Sequence, residues 1–382
     1  MAIRFSAKPD YANSIVDSTE KIKKEFEKHN KVVLILIDAL GYYNLKKMRK
    51  KSKIIDLVAK KFKIKKVSSV FPPSTAPAIV SLLTGLQPIE HAVYEWLVYS
   101  KKLNLSFFPL PFKTLYLADE NKFENKKDCF AFPKDNLFTK LKKKGVSVFE
   151  INKKEVTEDS VLCQSYNAET SPYKTIPDAF VKLKKALNSA RGKSFFYFYL
   201  PHYDSEMHGT GPFSDESIAT VETIFQRLDE EILQKTNCQV IITADHGCVA
   251  NKKSICLESK KWFQKKVAPY LKKRYGKTIP ITGSPRALFM NIAKDHLQKV
   301  KKIFKQKLKK DFLVLTMAEA LESNLFGNKK PSKEFIENAG NLILIGTSNK
   351  IILFEPFNDA IFQGIHGGLT KQELFVPWAR LK

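Results

Sequence analysis

Six Asp and His residues stand in short polar motifs that follow apolar runs or lie among glycines: Asp38, Asp204, His208, Asp245, His246 and His366. Mixed carboxylate and imidazole donors suit zinc, and manganese less often. Asp204 and His208 lie four residues apart in DSEMHGTG. In a helical turn that spacing puts both side chains on one side. Asp245 and His246 are adjacent, so past a strand they diverge. Adjacent donors suit two metals about 4 Å apart better than one. His366 lies in GIHGGLT, where Gly364, Gly367 and Gly368 allow close backbone approach. Thr370 and Glu373 then read as a capping box. Any one of these histidines alone reads more simply as a hydrogen-bonded core or surface residue. The whole set at strand ends argues for a metal site.

Thr75 is the candidate nucleophile. It sits in SSVFPPSTAPAIVSLLTG, residues 68–85, where Pro72 and Pro73 end what precedes. The spacing makes Thr75 a helix N-cap, with Ala76 to Leu83 helical and Gly85 ending the helix. Free N–H groups and the positive dipole end favour a phosphate there. A nearby metal lowers the pKa of a hydroxyl and turns it into a nucleophile. Alone, the segment reads as a plain capping threonine.

These residues need a sheet to bring them together. KVVLILI (31–37), FFYFYL (195–200) and QVIIT (239–243) are apolar runs of the kind buried on both faces of a parallel sheet. Each delivers Asp, or Asp and His, just past its C-terminal end, where open α/β sheets bind ligands. Between them, residues 215–235 place Ile218, Val221, Ile224, Phe225, Leu228 and Ile232 on one helical face. Residues 178–189 read as another helix. The expected fold is a doubly wound, mostly parallel α/β sheet with helices on both faces, forming a single catalytic domain over 1–382. Residues 97–175 and 260–350 fit this core less well and are expected to be insertions that shape the cleft, the second with a basic helix near 294–310.

The 382 residues are 43 % hydrophobic, ordinary for a folded soluble protein. No run approaches the roughly 18 apolar residues of a membrane helix. No apolar signal region opens the chain, and the odd set Cys129, Cys163, Cys238, Cys248 and Cys256 holds no CxxC pair. The expectation is a reduced, cytoplasmic protein, although export by a non-classical route is compatible with the same features. The net charge is +26, spread in short Lys runs. It reads first as a solvated surface, and otherwise as attraction for an anionic substrate or for nucleic acid. Oligomeric state is not legible.

IDALG (37–41), PPSTAPAIVSLLTGLQPIEH (72–91), YDSEMHGTG (203–211), ITADHG (242–247) and GIHGG (364–368) together resemble the alkaline phosphatase superfamily, and within it the type I phosphodiesterase/nucleotide pyrophosphatase family. The resemblance implies an alkaline-phosphatase-like core with two zinc ions. One would be held by Asp204, His208 and His366, the other by Asp38, Thr75, Asp245 and His246. It further implies in-line attack by Thr75, a covalent phospho-threonine and its hydrolysis by water. The expected substrate is an anionic phosphoester or phosphoanhydride, with a nucleotide among the candidates. Phosphomonoester hydrolysis or phosphoryl transfer at the same site is an alternative, and a basic nucleic-acid-binding protein is an alternative of another class. Thr75-Ala76-Pro77-Ala78-Ile79 lacks the convertible Cys or Ser and the Arg of sulfatases, and alkaline phosphatases use Ser, so Thr75 favours the diesterase branch.

One position departs from the family. Where eukaryotic-type members place a phosphate-binding Asn, this chain has Trp96, whose single indole N–H cannot copy an amide. Backbone N–H groups of Thr75 or Ala76 are the substitute donors. His202 is expected to line the cleft or support a ligand, and Arg286 in GSPRALF to reach an anionic substrate or to be an ion-pairing arginine. His91 reads as structural.

Overall fold

The computed structural model describes residues 5–119, 133, 135–159, 168–234 and 237–382. Cys129 and Cys163 fall outside them; Cys248 and Cys256 are free thiols among the described residues. A seven-stranded sheet forms the centre, in the order Phe62–Ser68, Phe375–Leu381, Gln239–Thr243, Lys31–Ile37, Ser194–Leu200, Ser147–Lys153, Glu169–Tyr173. Phe375–Leu381 is antiparallel to both its neighbours, and the other ladders are parallel. All six residues Val32 to Ile37 are fully buried. Successive side chains on a strand point to opposite faces, so both faces of the sheet are covered. The three expected strands and the doubly wound arrangement are therefore present.

The helix expected over 215–235 is α-helical over Asp215–Arg227 and continues as π-helical turns over Leu228–Leu233. The other two expected helices span Ile176–Ser189 and Leu297–Leu308.

The segment 97–175 is not uniformly an insertion. Val98–Ser100, Leu105–Phe108 and Lys113–Thr114 form a separate small sheet, but Ser147–Lys153 and Glu169–Tyr173 belong to the central one. Both were hard to read: SVFEINK is short and mixed, and Glu169–Tyr173 carries Pro172, tolerated because this strand is an edge. Within 260–350, the strands Thr282–Ser284, Ala287–Met290, Leu342–Gly346 and Phe312–Thr316 make a four-stranded antiparallel sheet.

One buried ion pair joins the two larger sheets. Arg286 sits in the turn between Thr282–Ser284 and Ala287–Met290, and Glu373 lies just before the strand Phe375–Leu381. Both side chains are fully buried. Arg286 Nε donates to Glu373 Oε1 at 2.9 Å and Nη2 to Oε2 at 2.6 Å. Arg286 Nη1 also donates to the Lys350 carbonyl at 2.7 Å. Glu373 completes the expected capping box with Thr370. Arg286 is therefore the ion-pairing arginine and not a substrate contact. A broken buried pair leaves an uncompensated charge. Arg286→Ala is expected to lose about 3–5 kcal/mol of stability, read as a lower midpoint in chemical denaturation; a loss under about 1 kcal/mol, the range of exposed pairs, would sink the assignment.

Candidate active site

Two strand ends, two helices and the segment around His366 build the site. Asp38 follows Lys31–Ile37, and Asp245 and His246 follow Gln239–Thr243. The helix His202–Thr210, which comes after Ser194–Leu200, carries Asp204 and His208 one turn apart. Asp38, Asp245 and His246 form one buried group of donor atoms, all within 4.8 Å of one another, and Asp204, His208 and His366 form a second. The groups touch through the stacked rings of His246 and His366, whose centroids are 3.8 Å apart.

Thr75 lies at the first group, its Oγ1 3.1 Å from His246 Nε2. It is the first residue of the helix Thr75–Thr84, and the N-cap is Ser74, one residue earlier than the sequence suggested. Ser74 has the extended backbone of a cap, and its carbonyl accepts the first helical bond, from Ala78 N–H at 3.1 Å. Gly85 ends the helix in the left-handed conformation, φ 77°.

Hydrogen bonds orient the donors. His208 Nδ1 lies 2.8 Å from the Gly364 carbonyl, and His246 Nδ1 3.2 Å from that of Gly247. A carbonyl only accepts, so each Nδ1 carries a proton, and in the neutral imidazole the Nε2 lone pair faces the site. Asp245 Oδ1 accepts from the N–H groups of Ala39 at 3.2 Å and His246 at 2.9 Å. The Tyr199 hydroxyl donates to Asp38 Oδ2. The opposite oxygens, Asp38 Oδ1, Asp245 Oδ2 and Asp204 Oδ1, are buried without a hydrogen-bond donor among the described residues. Instead, His246 Nε2 lies 3.4 Å from Asp38 Oδ1 and 3.2 Å from Asp245 Oδ2, and His366 Nε2 3.6 Å from Asp204 Oδ1. Unpartnered carboxylate oxygens and imidazole lone pairs converging at this spacing are what a divalent cation needs.

Burial, then the charges of Asp245 and Asp204, push the Asp38 carboxyl well above its ordinary range. Asp245 is also raised by burial, against the pull of His246. Burial would raise Asp204 too, but His208, with His366 and His246, outweighs it and holds that carboxyl below its usual range. Glycines let the backbones meet: a Cβ on Gly247 would lie 2.0 Å from the Gln372 carbonyl oxygen.

A cavity of about 220 Å³ opens over Thr75, Asp204, His208 and His366. Its walls are Trp96, Ser284, Pro285, Phe357, Phe362 and Ile365. Trp96 is thus brought to the site as expected, and Ala76 follows Thr75 in the helix. His202 does not line this cavity. It stands two residues before Asp204, about 200° away around the helix, and its ring lies on that of Tyr173 at 5.8 Å, where burial pushes it down to about 4. His91 is structural in form: Nε2 meets Ser81 Oγ at 2.9 Å and Nδ1 accepts from Val93 N–H at 3.1 Å. Sequence reasoning missed Glu95, Tyr199, Ser284, Phe357 and Phe362. Tyr199 lies in the strand run 195–200 and Ser284 beside Arg286 in GSPRALF, but nothing local marks any of the five as a site residue, and only the folded chain brings them close.

The model of the type I phosphodiesterase/nucleotide pyrophosphatase family matches residues 32–369. A direct comparison with curated proteins gives no match. Among solved structures, murine ectonucleotide pyrophosphatase/phosphodiesterase 5 superposes with a TM-score of 0.66 at 17 % identity, covering 91 % of this chain and 87 % of that one. The human protein gives 0.66 at 18 %, with the same 91 % and 87 %. Phosphonoacetate hydrolase from Sinorhizobium meliloti, bound to phosphonoformate, gives 0.63 at 14 %, covering 92 % and 89 %. An inactive variant of the murine protein is in complex with AMP. At these identities the likeness is one of fold, and it agrees with the alkaline-phosphatase-type sheet. The family match spans most of the chain: this protein belongs to the type I phosphodiesterase/nucleotide pyrophosphatase family of phosphoester hydrolases.

Proposed function

We propose that this protein is a two-metal phosphodiesterase or nucleotide pyrophosphatase with Thr75 as nucleophile. The observation that carries the reading is the placement of Thr75 Oγ1, 3.1 Å from His246, beside two donor groups whose buried carboxylate oxygens lack partners. Asp38, Thr75, Asp245 and His246 would hold one divalent cation, and Asp204, His208 and His366 the other. Zinc suits this donor set best, with manganese the alternative. When bound, such ions act as Lewis acids that stabilise charge on the attacking and leaving oxygens.

The chain's own residues do the rest. Thr75 Oγ attacks phosphorus as the bond to the leaving oxygen breaks, its hydroxyl proton passing by way of solvent to the leaving oxygen, which gives a phospho-threonine ester and the free alcohol or phosphate. Water then attacks the same phosphorus, the bond to Thr75 Oγ breaks, and the hydroxyl regains its proton. The N–H groups of Thr75 and Ala76, at the positive end of the helix, face the phosphoryl oxygens. Trp96, Phe357 and Phe362 make the cavity apolar and aromatic, which favours a substrate carrying a flat or apolar group beside its phosphate. The AMP complex of the murine structural neighbour supports a nucleotide-type phosphoester. The charge of +26 supports anionic substrates in general. The segment 260–350 acts as a cap in this reading, since Ser284 and Pro285 form part of the wall. The odd number of cysteines without a CxxC pair supports a reducing, cytoplasmic setting.

Dialysis against chelator is expected to abolish hydrolysis of bis(p-nitrophenyl) phosphate, and zinc to restore it. Zinc should also raise the thermal midpoint of the stripped protein, because a ligand bound only by the native state stabilises it. Undiminished turnover in metal-free protein would refute the two-metal reading. Thr75→Ala should lower kcat at least about 10,000-fold, as loss of other covalent nucleophiles does, and full activity would remove Thr75 from its role. Asp38→Asn and His246→Ala should each reduce bound zinc from two ions to one by elemental analysis; two ions retained would reassign the first group. A kcat/KM for p-nitrophenyl phosphate above that for the diester would favour phosphomonoester hydrolysis.

A further inference from the structure

Glu95 is a fully buried acidic side chain, pushed up to about 7 by burial, that the reaction above does not use. Its Oε2 accepts from the Ser74 hydroxyl at 3.2 Å and from the N–H of Trp96, and its Oε1 accepts from the Ser284 hydroxyl at 2.7 Å. Ser74 is the N-cap of the nucleophile helix, and Trp96 and Ser284 belong to the cavity wall. One buried acid thus links the start of that helix to two parts of the substrate cavity.

The link has a chemical consequence at the cap. A serine N-cap ordinarily accepts from the N–H of the second or third helical residue. Here the third is Pro77, which has no N–H, so Ala76 is the sole backbone donor open to it. Ser74 nevertheless makes no capping bond. Its hydroxyl is turned to Glu95 and donates to Oε2 at 3.2 Å. The N–H groups of Thr75 and Ala76 have no acceptor among the described residues. Trp96 supplies no amide in their place, so phosphoryl recognition falls on these two backbone donors.

We propose that Glu95 is a positioning residue that draws the Ser74 hydroxyl away from the helix and so keeps the Ala76 N–H open for the phosphoryl oxygen. This rests on Thr75 being the nucleophile. Without Glu95, Ser74 turns back, caps Ala76 and occupies the donor.

The test is a double-mutant cycle in the full-length, zinc-loaded protein, with bis(p-nitrophenyl) phosphate as substrate. Glu95→Met keeps the reach of the side chain and removes both acceptors. It is expected to lower kcat/KM on the order of 100-fold, the effect of losing one oxyanion donor. Glu95→Gln should stay within about threefold of wild type, because its amide oxygen can replace Oε2 while its NH2 meets the Ser284 hydroxyl. Ser74→Ala combined with Glu95→Met should come back to within about threefold of Ser74→Ala alone, since no hydroxyl is left to cap Ala76; contacts within one network couple in this way. A role in packing alone predicts the opposite, a double variant as far below Ser74→Ala as Glu95→Met is below wild type, and that result overturns the proposal. If Glu95→Met does not fold, Glu95→Ala goes through the same cycle. A second readout is independent of turnover: hydrogen-exchange protection of the Ala76 amide, by NMR in phosphate-free protein, should rise in Glu95→Met and not in the double variant. No rise in Glu95→Met refutes the proposal. Inactive wild-type protein that still shows the rise would instead refute the hydrolase reading and leave the role of Glu95 in holding Ser74 standing.

Discussion

Three carboxylates, Asp38, Asp204 and Asp245, are brought to one buried place, and no Lys or Arg forms an ion pair with any of them among the described residues. Their interactions are with His208, His246 and His366, with one tyrosine hydroxyl and with backbone N–H groups. Burying like charges this way is unfavourable, which is why Asp38 and Asp245 are both raised. The folded chain therefore concentrates negative potential beside Thr75, the nucleophile of our reading. Two divalent cations are the compensation that our reading supplies. With them, a cluster that opposes folding would become the feature that binds and polarises a phosphate.

The rest of the architecture serves that cluster. The parallel strands end at one edge, so residues 163 and 207 positions apart in sequence become neighbours. The second sheet is held on by Arg286 and Glu373, and it carries Ser284 and Pro285 to the cavity wall. The same glutamate caps the turn that follows His366, Gly367 and Gly368, its Oε1 accepting from Gly368 N–H at 2.8 Å. Stability between the sheets and placement of His366 thus rest on one side chain.

Shape and charge act separately at this site. Histidines and carboxylates occupy the floor of the cavity, while the wall is Trp96, Phe357, Phe362 and Ile365. The floor matches the phosphoryl chemistry of the family. The wall, in our reading, is where the organic part of a substrate is selected.

The local motifs carried much of this. KVVLILI, FFYFYL and QVIIT were legible as buried strands because apolar runs of that length have few other uses, and the Asp and His residues that follow them were legible as donors. Asp204 and His208 were legible as a pair because the helical period fixes their side. Other features depend on contacts between distant segments, which no local pattern encodes. Arg286 carries the same charge in a substrate site as in a buried ion pair, and Glu373, 87 residues away, decided between them. His202 belongs to a site motif, but the turn of its helix points it at Tyr173. Thr75 and the N-cap differ by one residue because the cap is set by backbone angles at Ser74. Glu95 had no motif, and its connection to Ser74 and Ser284 exists only once two sheets and a helix are packed together. The sequence by itself determined which chemical groups are present and which strands deliver them. The tertiary structure decided which groups are partnered, which are left open and what lines the cavity, because hydrogen-bond and ion-pair partners are chosen by proximity in space.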